Sequence, residues 1–96
     1  MLEKNYQAKL IKKIKKRLPD SIVMKQDANY KQGIPDLLIL NADRWAALEV
    51  KQDEKASRQP NQEYYVNKMN TMSYASFIFP ENEEDVLNAM EQALQR

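Results

Sequence analysis

The sequence predicts an α/β fold in the order helix, three strands, helix, strand, helix, and three observations carry that prediction. Apolar residues recur at helical spacing up to Leu18, and again in two later segments that follow Pro60 and Pro80. Two short runs, "DLLILN" and "WAALEVK", are strand-like, the first apolar on both faces and the second alternating. A third run, "YASFIF", lies between the later helical segments and reads as a further strand.

Taken in order, Leu2, Tyr6, Leu10, Ile11, Ile14 and Leu18 fall on one stripe of a first helix, which Pro19-Asp20 stops. Glu3 sits at the middle of that stripe, an unexpected place for a carboxylate in a helix organised by burial. "SIVMKQ" reads as a short strand and "NYKQGIP" as a loop, since Gly33 permits unusual backbone angles and Pro35 biases Ile34 towards an extended one. "DLLILN" follows as a strand at the centre of a sheet, "NADR" makes a turn, and "WAALEVK" returns. Its alternation sets Ala46, Leu48 and Val50 on one face and Trp45, Ala47, Glu49 and Lys51 on the other. After the polar loop "DEKASR" a helix runs from Pro60 to Met72, with Gln59 or a neighbour before it as a modest cap and Gln62, Tyr65, Met69 and Met72 on one face. The last helix carries acids in its first turn and buries Val86, Leu87, Met90 and Leu94.

A chain of 96 residues is expected to form one domain, large enough for a single core and helped by a partner subunit. No apolar run reaches membrane-spanning length and the N-terminal segment has no signal-peptide pattern, so a cytoplasmic protein is expected. Without cysteine there are no disulfides, thiolate nucleophiles or cysteine metal sites, and without histidine the commonest general base is missing. Chemistry in this chain therefore rests on carboxylates, lysine, hydroxyls or a metal held by oxygen. The net charge of +1 conceals an asymmetry: residues 1–18 carry seven Lys or Arg against one Glu, and residues 81–96 five acids against one Arg. One end suits a polyanion and the other repels it.

The acids and the lysine among apolar residues are the unusual feature. Strand alternation puts Glu49 and Lys51 on one face, roughly 7 Å apart. Asp36, at the head of the preceding strand, lies near them if the two strands pair through the turn at Asn41 to Arg44. Converging carboxylates repel and resist desolvation, so such a group normally needs a cation. Ligands that are all oxygen select Mg2+ or Mn2+ over zinc. A lysine beside them can position water or stabilise negative charge as it develops.

"GIPDLLIL" followed by "ALEVK" resembles the signature of the PD-(D/E)xK nuclease superfamily, and most closely the virus-type replication-repair nuclease (VRR-NUC) domains, which include compact stand-alone phage versions. The likeness extends from Glu3 on the first helix through Gly33-Ile34-Pro35-Asp36 and Glu49-Val50-Lys51 to "QPNQEYY", where Gln62 takes the family's glutamine position. It implies a restriction-endonuclease-like core with a mixed four-stranded sheet flanked by helices, and a phosphodiesterase dependent on Mg2+ or Mn2+. Carried over by residue, Asp36, Glu49 and the Val50 carbonyl would bind metal, Lys51 would be the catalytic lysine, Glu3 would complete the acidic site or hold a metal-bound water, and Gln62 would orient that shell. Two positions depart from the family: Gln59 replaces a frequent serine cap, and the glycine frequent after this helix is missing near Asn70 to Ser73.

Lys12, Lys13 and Lys16 on the first helix, with Lys55 and Arg58 after Lys51, are candidate phosphate contacts that would hold DNA without reading its sequence. The resemblance favours branched DNA such as a Holliday junction, acted on in a bacterial or phage-infected cytoplasm. A homodimer is expected, because paired incisions need two sites related by a two-fold axis and a short chain gains core by pairing. The alternative is a non-catalytic DNA-binding module, or a nuclease subunit that works with a helicase or replication partner.

Overall fold

The three buried positions of the first helix recur every fourth residue, and that spacing sets how the helix lies on the sheet. The computed structural model describes residues 2–95. Its elements are α1 (Glu3–Arg17), β1 (Ile22–Lys25), β2 (Leu37–Asn41), β3 (Arg44–Val50), α2 (Pro60–Met72), β4 (Tyr74–Ile78) and α3 (Glu83–Leu94), the order expected from the sequence.

The strands form one sheet in the order β1-β2-β3-β4. β1, β2 and β3 are joined antiparallel, whereas β4 pairs with β3 in parallel. A parallel neighbour requires a crossover, and α2 supplies it. The sheet is therefore mixed.

One face is the main core. Leu37 and Ile39 of β2, Ala46, Leu48 and Val50 of β3, and Ile78 of β4 pack against Tyr6, Leu10 and Ile14 of α1 and Val86, Leu87, Met90 and Leu94 of α3. Each fully buried Leu or Ile contributes roughly 1.5–3 kcal/mol, so these positions decide which side of each helix turns inward. Leu2, by contrast, is 63% exposed, because it precedes the first helical residue and its chain has not yet turned onto the sheet.

α1 and α3 are also tied by charge. Tyr6 donates to Glu83, Lys13 pairs with the same carboxylate, and Arg17 reaches Asn88, Glu84 and Glu91. Part of the basic helix is thus neutralised by the acidic one, and the two charged ends read from the sequence face each other. Burial, followed by the Glu83 carboxylate, pushes the Tyr6 phenol well above its ordinary value.

α2 covers the other face, but only over β3 and β4. Its inward residue is Val66, which the sequence reading passed over, while Met72 is 67% exposed because the helix ends there and turns into β4. The missing glycine after α2 is not needed: Ser73 has φ −154°, outside the left-handed region that favours glycine, and its N–H donates to the Met69 carbonyl. The Ser73 hydroxyl donates to the Trp45 carbonyl, and the Ala75 N–H donates to Asn70 Oδ1. The half of this face over β1 and β2 stays open, with Ile22 and Met24 exposed beside the half-buried Leu38, Leu40 and Trp45.

Ala42, in the turn between β2 and β3, has φ +57°, a left-handed conformation that costs an L-residue about 1 kcal/mol. Ala42→Gly removes the clash at some entropic cost and is expected to raise the melting temperature by a few degrees. A thermal melt by circular dichroism checks it.

Candidate active site

Asp36 and Glu49 meet because of register. Leu37 pairs with Leu48, so one step further along the antiparallel ladder Asp36 stands opposite Glu49 on the face covered by α2. The Val50 N–H donates to Asp36 Oδ2 at 2.9 Å, which fixes that carboxylate against β3. In an extended residue the N–H and C=O point to the same edge, so the Val50 carbonyl is directed to the Asp36 side as well.

The loop into Asp36 is braced on α2. Gly33 has φ +90°, and a Cβ there would come within 2.7 Å of the Asn61 side chain and 2.8 Å of its backbone. Only glycine lets the loop pass this close to the start of the helix.

Gln62 joins Glu49, near the end of β3, to Lys51, just beyond it. Lys51 Nζ donates to Gln62 Oε1 at 2.9 Å, and Gln62 Nε2 donates to Glu49 Oε2 at 3.2 Å. Lysine and the Gln59 backbone N–H only donate, so the amide oxygen must face them and its nitrogen turns to Glu49. Its oxygen also accepts from the Gln59 N–H at 3.0 Å, which caps α2 without the family's serine. One side chain therefore caps the helix and sets the distance between acid and lysine. Lys51 Nζ is 3.8 Å from Glu49 Oε2.

Both residues are almost wholly buried, Glu49 at 3% exposure and Lys51 at 8%. Burial, and then the facing Asp36 charge, push the Glu49 carboxyl up to about 8, against the opposing pull of Lys51. Asp36 is raised too, by burial first, with the Val50 N–H and Lys51 working the other way. Among the described residues Glu49 Oε1 is buried with no hydrogen-bond partner. An orphaned carboxylate oxygen beside a second carboxylate is the donor set a hard divalent cation fits.

Glu3 belongs to the same electrostatic environment but is not buried. Its carboxyl is raised by partial burial and next by Asp36, and lowered by Lys51, while the residue as a whole is exposed. It stands near the site, close enough to Asp36 and Lys51 for their charges to act on it. Among the described residues no three Asp or Glu side chains lie close enough to enclose an ion by themselves. The core of the site is a carboxylate pair.

The basic residues divide. Lys13 is engaged by Glu83, and Lys12 and Lys16 lie on the outer side of α1, away from the stripe that holds Glu3. Lys55 is exposed in the loop after β3. Arg58 is different: its guanidinium stacks 4.0 Å above the Phe77 ring, and Phe77 is the β4 partner of Glu49. The sequence reading had no role for Phe77, since a parallel register cannot be read from spacing.

No protein-family model matches the sequence, and no curated protein does. Among solved structures, the chain is similar to one described as a "VRR_NUC domain protein", with a TM-score of 0.71 and 20% identity over 98% of this chain and 88% of that one. It is also similar to a "VRR_NUC domain", with a TM-score of 0.63 and 21% identity over 92% of this chain and 96% of that one. The chain has the fold of these domains, as the resemblance implied. Among the described residues no helix is long and apolar enough to cross a membrane.

Proposed function

We propose that the chain is a nuclease that hydrolyses DNA phosphodiesters with the help of Mg2+ or Mn2+. The observation that carries this reading is the buried Asp36–Glu49 pair, with its orphaned Oε1, held at a fixed distance from Lys51 by Gln62. The likeness of fold to VRR_NUC domains supports it.

Asp36, Glu49 and the Val50 carbonyl would hold the cation, with the exposed Glu3 near the shell. When bound, such a cation polarises the phosphate and acidifies the attacking water. Lys51 lies beside the same pair and counters the charge that grows on the phosphate oxygens as water adds and the sugar oxygen leaves. Gln62 acts through the other two by fixing their positions. Arg58, stacked on the β4 partner of Glu49, and Lys55, in the loop after β3, would grip neighbouring phosphates; Lys12 and Lys16, on the outer side of α1, would serve longer DNA arms.

We further propose a homodimer that acts on branched DNA such as a Holliday junction. The open half of the sheet supports it: Ile22, Leu40 and Trp45 form one cross-strand row, and Met24, Leu38 and Ala47 the next. A second copy laid on that face would bury the exposed members of both rows, Ile22 and Met24 above all, and the two-fold axis would supply two cutting sites.

The test is cleavage of four-way junction, flap, single-stranded and linear duplex DNA in Mg2+, Mn2+ or EDTA, alongside Asp36→Asn and light scattering. The expected result is metal-dependent cutting that Asp36→Asn abolishes, with symmetric nicks across the junction from a dimer. DNA binding that is indifferent to metal and never followed by cutting, from a folded protein, would replace this reading with a non-catalytic binding module. Monomers at micromolar concentration, with and without junction, would remove the dimer.

A further inference from the structure

The arginines of the described chain are used in different ways. Arg17 gives its guanidinium to Glu84, Glu91 and Asn88, and Arg44 gives its own to the Ala93 and Gln95 carbonyls at the end of α3. The Arg58 guanidinium is exposed and, among the described residues, makes no hydrogen bond or ion pair. Its partners are aromatic: it lies 4.0 Å from the centre of the Phe77 ring and 6.0 Å from that of Phe79.

Register places those rings. β3 and β4 run parallel with Glu49 opposite Phe77, so the two side chains leave the sheet on the same face from backbones about 4.8 Å apart. The Lys51 N–H donates to the Ile78 carbonyl at 2.9 Å, which carries the pairing one residue further and sets Phe79 beside Lys51. Phe77 is buried and Phe79 half-buried, so the rings are a firm support. Asp36 flanks Glu49 on the β2 side and Phe77 flanks it on the β4 side. A line across the sheet therefore passes from Asp36 through Glu49 to Phe77, where Arg58 lies.

A guanidinium held over a ring spends no donor on it and keeps its N–H groups for an acceptor. Supported by two rings and paired with no acid, Arg58 is a charge set in place ahead of its partner, and its fork matches the oxygens of a phosphate. We propose that Phe77 and Phe79 hold Arg58 as a preset fork for an uncut phosphate of the bound DNA strand, and so direct that strand across the sheet from the carboxylate pair towards β4. This rests on the nuclease reading and deepens it. Arg58 is then a binding residue with a fixed place, and the two phenylalanines are positioning residues that act through it. A lysine at the same place would keep the charge and lose the fork.

The test is DNA binding in EDTA over a series of salt concentrations, followed by steady-state cleavage in Mg2+. Wild type is compared with Arg58→Ala, Arg58→Lys, Phe77→Leu and the double variant Phe77→Leu/Arg58→Ala, each checked by a melt; Phe79→Leu takes the place of Phe77→Leu if that protein does not fold. Arg58→Ala is expected to weaken binding about tenfold and to reduce the steepness of log K against log salt by about one, as the loss of one phosphate contact requires. Arg58→Lys should bind within about threefold of Arg58→Ala, and both should raise KM by roughly tenfold while kcat changes less than about threefold. Phe77→Leu should weaken binding about threefold when Arg58 is present and not at all when it is absent, because the ring acts through the arginine. Wild-type binding by Arg58→Lys, or an equal loss from Phe77→Leu with and without Arg58, would overturn the fork in favour of a plain surface charge. Wild-type binding by Arg58→Ala, beside a wild type that cuts DNA, would remove the contact and leave the nuclease standing. A wild type that neither binds nor cuts DNA would end both.

Discussion

Lys51→Ala is expected to lower kcat for DNA cleavage by roughly 10²- to 10³-fold while changing DNA affinity no more than a few-fold. The split follows from position. Lys51 is 8% exposed, so it offers little to incoming DNA at long range, and its ammonium lies 3.8 Å from Glu49 Oε2, beside the carboxylate pair. A group placed there acts mainly when charge builds up in the transition state, and removing it shows in kcat rather than in binding. Lys51→Arg should not restore the rate, because a planar guanidinium cannot take the place of a compact ammonium between Glu49 and Gln62. Gln62→Leu releases both partners and, as the loss of a positioning residue, should cost about tenfold. A melt of each variant separates loss of chemistry from loss of fold. Wild-type turnover by a folded Lys51→Ala protein would remove Lys51 from the mechanism.

How far the sequence foretold this site depends on which contacts are local in the chain. Asp36, Glu49 and Lys51 are set by a two-residue alternation and a short hairpin, and both can be read from "PDLLILNADRWAALEVK". Gln62 was visible as a polar residue at the start of an otherwise apolar stripe. Its double role was not, because the hydrogen bonds to Lys51, Glu49 and the Gln59 N–H depend on how far α2 slides over the sheet. Glu3 lies on the angular stripe of Leu10 and Ile14, yet the helix begins there, and an end residue escapes the burial its angle suggests. Lys13 misled for a similar reason. Its charge looked available until α3, seventy residues later, brought Glu83 against it. Arg58 and Phe77 meet only through the parallel pairing of β4 with β3, a register no periodicity encodes.

Without divalent metal the protein should be most stable in mildly acidic solution and lose stability as the pH rises from about 5 towards 8. Glu49 carries the effect, with Asp36 adding in the same direction. In the unfolded chain a glutamate ionises near 4.5, whereas burial and the facing Asp36 hold the folded Glu49 neutral up to about 8. Between those values the native state keeps a proton that the unfolded state has released, so raising the pH favours unfolding. The slope is at most about 1.4 kcal/mol per pH unit for one proton, which for a chain of this size lowers the melting temperature by at most roughly 7 °C per unit. The loss is absent below the unfolded value and complete above the folded one. Mg2+ should reverse the trend, because a cation competes for the form that has lost its proton, so the gain in melting temperature on adding Mg2+ grows across the same window. Melts in EDTA and in Mg2+ at pH 5, 6, 7 and 8, repeated with Glu49→Gln, check both halves. The variant should have a flatter profile and little response to Mg2+. A wild-type profile in EDTA that is level or rising over this range would mean that Glu49 ionises freely where it lies. The carboxylate pair would then need no cation to offset its charge.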